Sequence, residues 1–331
     1  MSKYCNVIQL SSGMWSEKYR PKTLNEIVNQ REIVTRLKTF VEEKNLPHLL
    51  FVGPAGVGKT TSILALARDL YGSSYRNFIL ELNASDERGI GIIREKVKNF
   101  ARTSAIASPV SFKILIMDEA DHLTSDAQHA LRRTMELYTN TCRFCLLGNY
   151  SENIIDPIQS RCSVFRFSPL EEVELKNYIK EIALKENLKI VDEGLDAIYQ
   201  ASKGDVRKAI NMLQAAAANQ TLIEDVTIYN LLGNVSPEKV KEMLSIALEG
   251  KFLESRDRLR ELLIDQGLAP EDIIRNIYRE IMRNPSLTEQ MKIRLSDIIG
   301  EVDYRLTQGS RAEIQLSTLL AHLTLIGEES K

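Results

Sequence analysis

A chain of 331 residues, 44% hydrophobic and 27% charged, has the makeup of an ordinary globular protein and is long enough for two or three domains. Its formal charge of −2 excludes a global basic field, so any surface for nucleic acid must be a local patch. No apolar run approaches the roughly 20 residues that span a bilayer, and no basic segment followed by a long apolar core opens the chain, so the expectation is an intracellular protein with no membrane partner.

Residues 1–14 show no periodic pattern and are expected to form an irregular, mobile segment. From Trp15 to Ser168, apolar runs at 49–52, 78–82, 113–117, 143–148 and 163–167 alternate with amphipathic helical stretches. That alternation predicts a mostly parallel sheet flanked by helices over 15–168. Directly after the first strong strand stands Gly53-Pro54-Ala55-Gly56-Val57-Gly58-Lys59-Thr60, which fits the phosphate-binding pattern GxxxxGK[ST] at every fixed position. Small residues let backbone N–H groups curl around phosphates, and the N-terminus of the helix that follows, from Thr61 on, adds partial positive charge. Lys59 can reach the β- and γ-phosphates and the Thr60 hydroxyl can hold Mg²⁺. The loop therefore predicts binding of a nucleoside triphosphate without saying what the triphosphate drives.

The stretch 87–102 predicts a helix with Ile90, Ile93, Val97 and Ala101 on an apolar face. Arg94, Lys98 and Arg102 recur every four residues beside it, with Arg88 just before. Such a stripe can follow a phosphate backbone or simply solvate the helix, and Glu87 and Glu95 dilute it. Arg132 and Arg133 form a smaller basic pair on a later helix. The strand 113–117 runs into Asp118-Glu119-Ala120-Asp121: Asp118 is placed for the Mg²⁺ shell and Glu119 to polarise a water against the γ-phosphate. The same letters occur in RNA helicases, but those need a second helicase core, and no second sheet is legible here. Cys142 and Cys145 form a CxxC, yet residues three apart on a strand face opposite ways. No second pair completes a zinc site, and His48, His122, His129 and His322 lack metal-ligand spacing. Asn149, after strand 143–148, is either a turn residue or, if that strand neighbours 113–117, a side chain beside Glu119 that positions the attacking water.

Ser160-Arg161-Cys162 precedes the last strand, and a single arginine there is unremarkable on its own. Pro169 marks a change to helical pattern, giving a small helical lid over 169–232. Its stripes are Leu175, Ile179, Ile182 and Ala183, then Leu195, Ile198 and Tyr199, then Ala209, Ile210, Leu213 and Ala216. Asp205 is placed to cap the third helix, and Arg207 at its start either reaches the γ-phosphate or is a solvated charge. From Gly233 to the end, amphipathic helices broken by Pro and Gly predict an all-helical third domain, 233–331, with a pattern that fits an oligomer interface or a private core.

Taken in order, these motifs resemble the small subunits of replication factor C, the clamp loaders of archaea and eukaryotes within the AAA+ ATPases. The resemblance rests on Trp15-Ser16-Glu17-Lys18-Tyr19-Arg20-Pro21, the loop 53–60, Leu82-Asn83-Ala84-Ser85-Asp86-Glu87-Arg88-Gly89, the acidic motif 118–121 and Ala130-Leu131-Arg132-Arg133-Thr134-Met135-Glu136. It continues through Asn149-Tyr150-Ser151, Pro157-Ile158-Gln159-Ser160-Arg161-Cys162 and Gly204-Asp205-Val206-Arg207-Lys208-Ala209-Ile210-Asn211. The wording is closer to the archaeal members, which implies a cytoplasmic protein at the nucleoid; a eukaryotic one would be nuclear.

The resemblance implies an ATP- and Mg²⁺-dependent subunit that opens a sliding clamp and closes it on primer–template DNA, in a pentamer with a large subunit and other small subunits. Arg161 would be an arginine finger acting on ATP held by the neighbouring subunit. Asn149 and Arg207 would be the two sensors, and Asn83 a polar switch restraining Glu119 until DNA binds. Tyr19, Arg20, Pro21 and Val28 would lie near the adenine. The stripe Arg88, Arg94, Lys98 and Arg102 would face DNA, the stretch from Arg102 to Ser108 the clamp, and the helices beyond about 236 would form a collar. Gly148 and Glu152-Asn153 depart from the usual family wording without removing a catalytic group. The competing readings are another AAA+ machine, such as a branch-migration motor or a replication initiator, and a non-catalytic scaffold subunit. The first lacks support in a visible DNA-reading motif, and the second is at odds with the intact Lys59, Thr60, Asp118, Glu119 and Arg161.

Overall fold

A computed structural model describes residues 13–85, 90–103, 105, 108–218, 222–232, 237–265 and 267–329. Two compact units divide the chain, one built from residues up to 188 together with 198–214, the other from 189–197 and from 215 onward.

The first unit carries a five-stranded parallel sheet of β1 (His48–Val52), β2 (Ile79–Asn83), β3 (Lys113–Asp118), β4 (Cys142–Gly148) and β5 (Cys162–Arg166), in the order β2-β3-β4-β1-β5. Each strand lies within one residue of its predicted run. The near-continuous apolar sequences of the inner strands β1, β3 and β4 suit strands covered on both faces, while the edge strands β2 and β5 expose Glu81 and Arg166, and alternation along the strands divides the core in two. Leu49, Phe51, Ile114, Ile116, Cys145 and Leu147 point to one layer, where helices α2 (Arg31–Glu42) and α3 (Lys59–Tyr71) contribute Leu37, Ile63 and Leu66. Leu50, Val52, Leu115, Met117, Phe144 and Leu146 point to the other, against Val97 and Ala101 of α4 (Ile90–Arg102) and Leu131 and Met135 of α5 (Ser125–Leu137). Cys142 and Cys145 fall in opposite layers, as their spacing predicts. Burial pushes the Cys142 thiol up to about 12 and the Cys145 thiol well above its ordinary value, so both are packing residues. Among the described residues no group of side chains could hold a metal ion by itself.

Further helices complete the unit: α1 (Trp15–Lys18), α6 (Asp156–Gln159), α7 (Glu172–Lys185) and α9 (Val206–Ala217), the last preceded by α8 (Asp192–Ser202). Trp15 is buried, and the segment predicted to be mobile is tied at its described end: Gln214 donates through Nε2 to the Gly13 carbonyl and accepts from Trp15 N. Residues 1–12 lie outside the described residues.

In the second unit a feature appears that periodicity did not predict. Strands β6 (Lys189–Ile190) and β7 (Leu222–Ile223) form a two-stranded parallel ladder inside the stretch read as wholly helical. Two residues are too few for a period of two to register. After α10 (Asp225–Leu232), the helices α11 (Pro237–Leu248), α12 (Phe252–Arg260), α13 (Pro270–Arg283), α14 (Glu289–Thr307) and α15 (Ala312–Glu329) pack around Val240, Met243, Ile273, Ile277, Leu295, Leu316 and Leu320. α12 runs into a π-helical turn at Glu261–Asp265. No described helix is long and apolar enough to cross a membrane.

Candidate nucleotide site

In an open parallel sheet ligands bind beyond the carboxyl ends of the strands, where the strand order reverses. Here that edge carries the glycine loop after β1, Asp118 and Glu119 after β3, and Asn149 after β4. Because β3 pairs with β4 and β4 with β1, the three strand ends are adjacent. Gly56 takes a left-handed backbone (φ +70°), and a Cβ there would stand 1.8 Å from Asp205 Oδ1. Only glycine fits that turn against α9. Gly56 O in turn accepts from Val206 N, and Asp205 Oδ1 accepts from Lys208 N, the N-terminal cap predicted for α9.

Lys59 is buried, and its Nζ donates to Gly53 O (2.5 Å), Pro54 O (2.8 Å) and Asn149 Oδ1 (3.0 Å). Burial lowers its pKa, while the carboxylates of Asp118 and Asp121 pull the other way. Thr60 Oγ1 donates to Asp118 Oδ2 at 3.0 Å, so two hard oxygen groups converge as a magnesium site requires. Glu119 adopts a left-handed backbone (φ +54°), a conformation that costs a non-glycine residue about 1 kcal/mol; its N–H donates to Asp118 Oδ1 at 2.9 Å. The Glu119 carboxylate is partly exposed, with His122 Nδ1 at 3.7 Å.

Around the loop one cavity is lined by Tyr19, Arg20, Pro21 and Val28, by Ala55 to Thr61, by Asp118, Glu119 and Asn149, and by Arg207. Most of the predicted nucleotide residues are thus together. Gly53 and Pro54 are not among its lining residues; their carbonyls hold Lys59, which is. Tyr19 is fixed on α7 from two sides: its hydroxyl donates to Glu186 Oε1 (2.6 Å), and its carbonyl accepts from the Tyr178 hydroxyl (2.8 Å).

Asn83 ends β2 in register with Asp118, and its Oδ1 accepts from Ser85 N and Oγ, both at 2.9 Å. Arg161 is elsewhere. It immediately precedes β5, whose first residue pairs with His48 at the start of β1, whereas the loop follows the end of β1. At about 3.3 Å per residue, a five-residue strand separates Arg161 from the loop's edge by about 16 Å. There its Nη1 donates to Pro157 O and its Nη2 pairs with Glu136 Oε1, both at 2.6 Å. Arg132 Nε contacts the same carboxylate at 3.1 Å. On α4, Lys98 and Arg102 are exposed on the face adjoining buried Val97 and Ala101. Arg94 lies on the same helix, while Arg88 lies outside the described residues. The helix is anchored at its C-terminus by buried Lys113, whose ammonium donates to Phe100 O (2.6 Å) and to Thr103 Oγ1.

Two site groups carry no signal in the sequence pattern. Tyr178 sits beside the apolar stripe of α7, and nothing in helical spacing distinguishes it from core. Asp121 stands in the sequence only as the last letter of the acidic motif. It is buried, and its Oδ2 accepts from Asn149 N (3.0 Å) and Tyr150 N (3.2 Å). Gly148 fits that arrangement, since a Cβ there would stand 3.2 Å from the Asp121 carboxyl carbon.

Comparison with known proteins gives three family matches along the chain: the ATPase family associated with various cellular activities (AAA) over residues 49–170, the RFC1-like AAA+ ATPase lid domain over 173–225, and the replication factor C C-terminal domain over 235–322. Among curated proteins, the replication factor C small subunit of Sulfolobus acidocaldarius is 54% identical over 96% of this chain and 97% of its own length. The Methanococcus maripaludis protein of that name is 52% identical over 94% and 98%, and the Archaeoglobus fulgidus one 49% identical over 96% and 98%. Among solved structures, the Thermotoga maritima RuvB Holliday junction branch migration motor aligns with a TM-score of 0.53 at 20% identity, covering 76% of this chain and 86% of that one. A second structure of RuvB from the same organism, a single-substitution variant, aligns at 0.55 and 19%, covering 84% and 98%. At such identities the likeness is one of fold.

Proposed function

Given that this chain belongs to the replication factor C small subunits, AAA+ ATPases of the replication clamp loader, we propose that it spends ATP to open a sliding clamp and close it on primer–template DNA. The observation that carries this reading is the convergence of Lys59, Thr60, Asp118, Glu119 and Asn149 at one edge of the sheet. Lys59 and the loop N–H groups of Ala55 to Thr60 hold the phosphates, Gly53 and Pro54 steady the Lys59 ammonium through their carbonyls, Thr61 continues the helix N-terminus, and Tyr19, Arg20, Pro21 and Val28 enclose the adenine. Thr60 and Asp118 would hold Mg²⁺, which when bound supplies charge neutralisation between the phosphates. Glu119 polarises the attacking water, Asn149 orients it, and Arg207 senses the γ-phosphate. Asn83 restrains Glu119 until DNA is bound. Arg161 serves the site of the adjacent subunit, a reading supported by its separation from its own loop.

Arg88, Arg94, Lys98 and Arg102 would track the DNA backbone. The segment after Arg102, to Ser108, would meet the clamp, and α11–α15 would form the collar of a pentamer with a large subunit. The working division of the chain is a nucleotide-binding domain at 15–168, a lid at 169–232 and a collar at 233–331. Action on chromosomal DNA implies an intracellular location, with the archaeal relatives favouring the nucleoid. ATPase rates measured with primed DNA and clamp, separately and together, test the proposal: stimulation by each and more by both is expected. A rate indifferent to the clamp would point instead to a motor that works on DNA alone.

A further inference from the structure

Asp121 is the one carboxylate of the acidic motif given no part in holding the metal or polarising the attacking water. It is nevertheless buried against the site. Its Oδ2 accepts two backbone N–H groups, from Asn149 and Tyr150, and its Oδ1 is buried without a hydrogen-bond partner among the described residues. Burying a carboxylate is costly unless it is paired, and charge-assisted acceptance from two backbone donors is what this one receives in return. Asn149 then accepts from Lys59 Nζ through its side chain, so a continuous line of hydrogen bonds runs from Asp121 through Asn149 to the phosphate-binding lysine. Asp121 also follows Glu119 by only two residues, within the single 3₁₀ turn Ala120–His122. One short turn therefore carries both the group that would polarise the attacking water and the anchor of the group that would orient it.

We propose that Asp121 is a positioning residue for ATP hydrolysis: by gripping the backbone of Asn149 and Tyr150 it fixes the Asn149 amide relative to Glu119 and Lys59. The proposal rests on the reading of Asn149 as the residue that orients the water. A small displacement of such a group lowers the rate of the chemical step far more than it lowers substrate binding.

The test is steady-state MgATP hydrolysis by the full chain assembled with its large-subunit partner on primed DNA. Asp121→Ala is expected to lower kcat about a hundredfold while KM for ATP stays within about threefold. Asp121→Asn, whose amide oxygen can still accept from both N–H groups, is expected to recover most of that loss. Should Asp121→Ala not fold, Asp121→Ser replaces it with the same expectation, because its shorter side chain withdraws the acceptor from reach. The double variant Asp121→Ala, Asn149→Ala is expected to be no slower than Asn149→Ala alone, whereas a merely structural Asp121 would add its own loss. An unchanged kcat in Asp121→Ala, an Asp121→Asn as slow as the alanine variant, or additive losses in the double variant would each overturn the proposal. If Asn149→Ala itself keeps full kcat, the underlying reading of Asn149 fails. If Asn149→Ala is slow and Asp121→Ala is not, only the role given to Asp121 fails.

Discussion

Lys59 rests its ammonium on two loop carbonyls and the Asn149 amide, in a setting that disfavours its charge through burial. A triphosphate offers that ammonium anionic oxygens instead, and hydrogen bonds to charged groups are among the stronger ones. Lys59→Ala should therefore weaken ATP binding by about tenfold to a hundredfold, read by titration of a fluorescent ATP analogue; unchanged affinity would remove Lys59 from the phosphate cradle. The loop, Thr60, Asp118 and Glu119 are legible in the sequence because their chemistry fixes both residue type and spacing. Asp121 and Tyr178 are not, because each acts through hydrogen bonds to residues 28 and 159 positions away, and no local pattern records such a pairing. Arg161 lies between these cases: its residue type is visible, but only the register of β5 on β1 reveals that it stands away from its own loop.

The inner strands β1, β3 and β4 can be located to within a residue because strands buried on both faces appear as uninterrupted apolar runs, and the edge strands β2 and β5 remain legible although exposed Glu81 and Arg166 interrupt theirs. The β6–β7 ladder cannot, since its pairing partners lie more than thirty residues apart and each is two residues long. Helix α4 shows how an element is split between two tasks. Val97 and Ala101 bury one side of it, Lys98 and Arg102 stand exposed on another, and Lys113 fastens its last turn from the neighbouring strand. A helix held this firmly can present cations at a fixed spacing. Neutralising Arg94 and Lys98 together should lower affinity for primed DNA and flatten the salt dependence by about 0.9 in log–log slope for each phosphate that is no longer neutralised. An unchanged slope would return both residues to ordinary surface charge.

For the molecule as a whole, the role proposed for Arg161 makes a complete site the work of more than one chain. Arg161→Ala should leave ATP affinity nearly intact and cut hydrolysis in the assembled complex by roughly 10³-fold or more, the scale of an arginine finger acting in trans. Mixing Arg161→Ala chains with Lys59→Ala chains should restore part of the activity, since each supplies what the other lacks; no restoration would argue for action within one chain. The placement of Arg161 before β5 and of the glycine loop after β1 has a consequence for symmetry. If Arg161 serves the site of an adjacent copy, as proposed, donor and acceptor lie at opposite ends of one sheet and successive copies would join head to tail through unlike surfaces, an arrangement that either closes into a ring or stays open. In an open stack every interface completes one site, and the terminal copy keeps a loop with no finger to serve it. On the proposed role of Arg161, the number of sites able to fire would then be one fewer than the number of chains, and the polarity of the whole assembly would be written in the direction of a single strand.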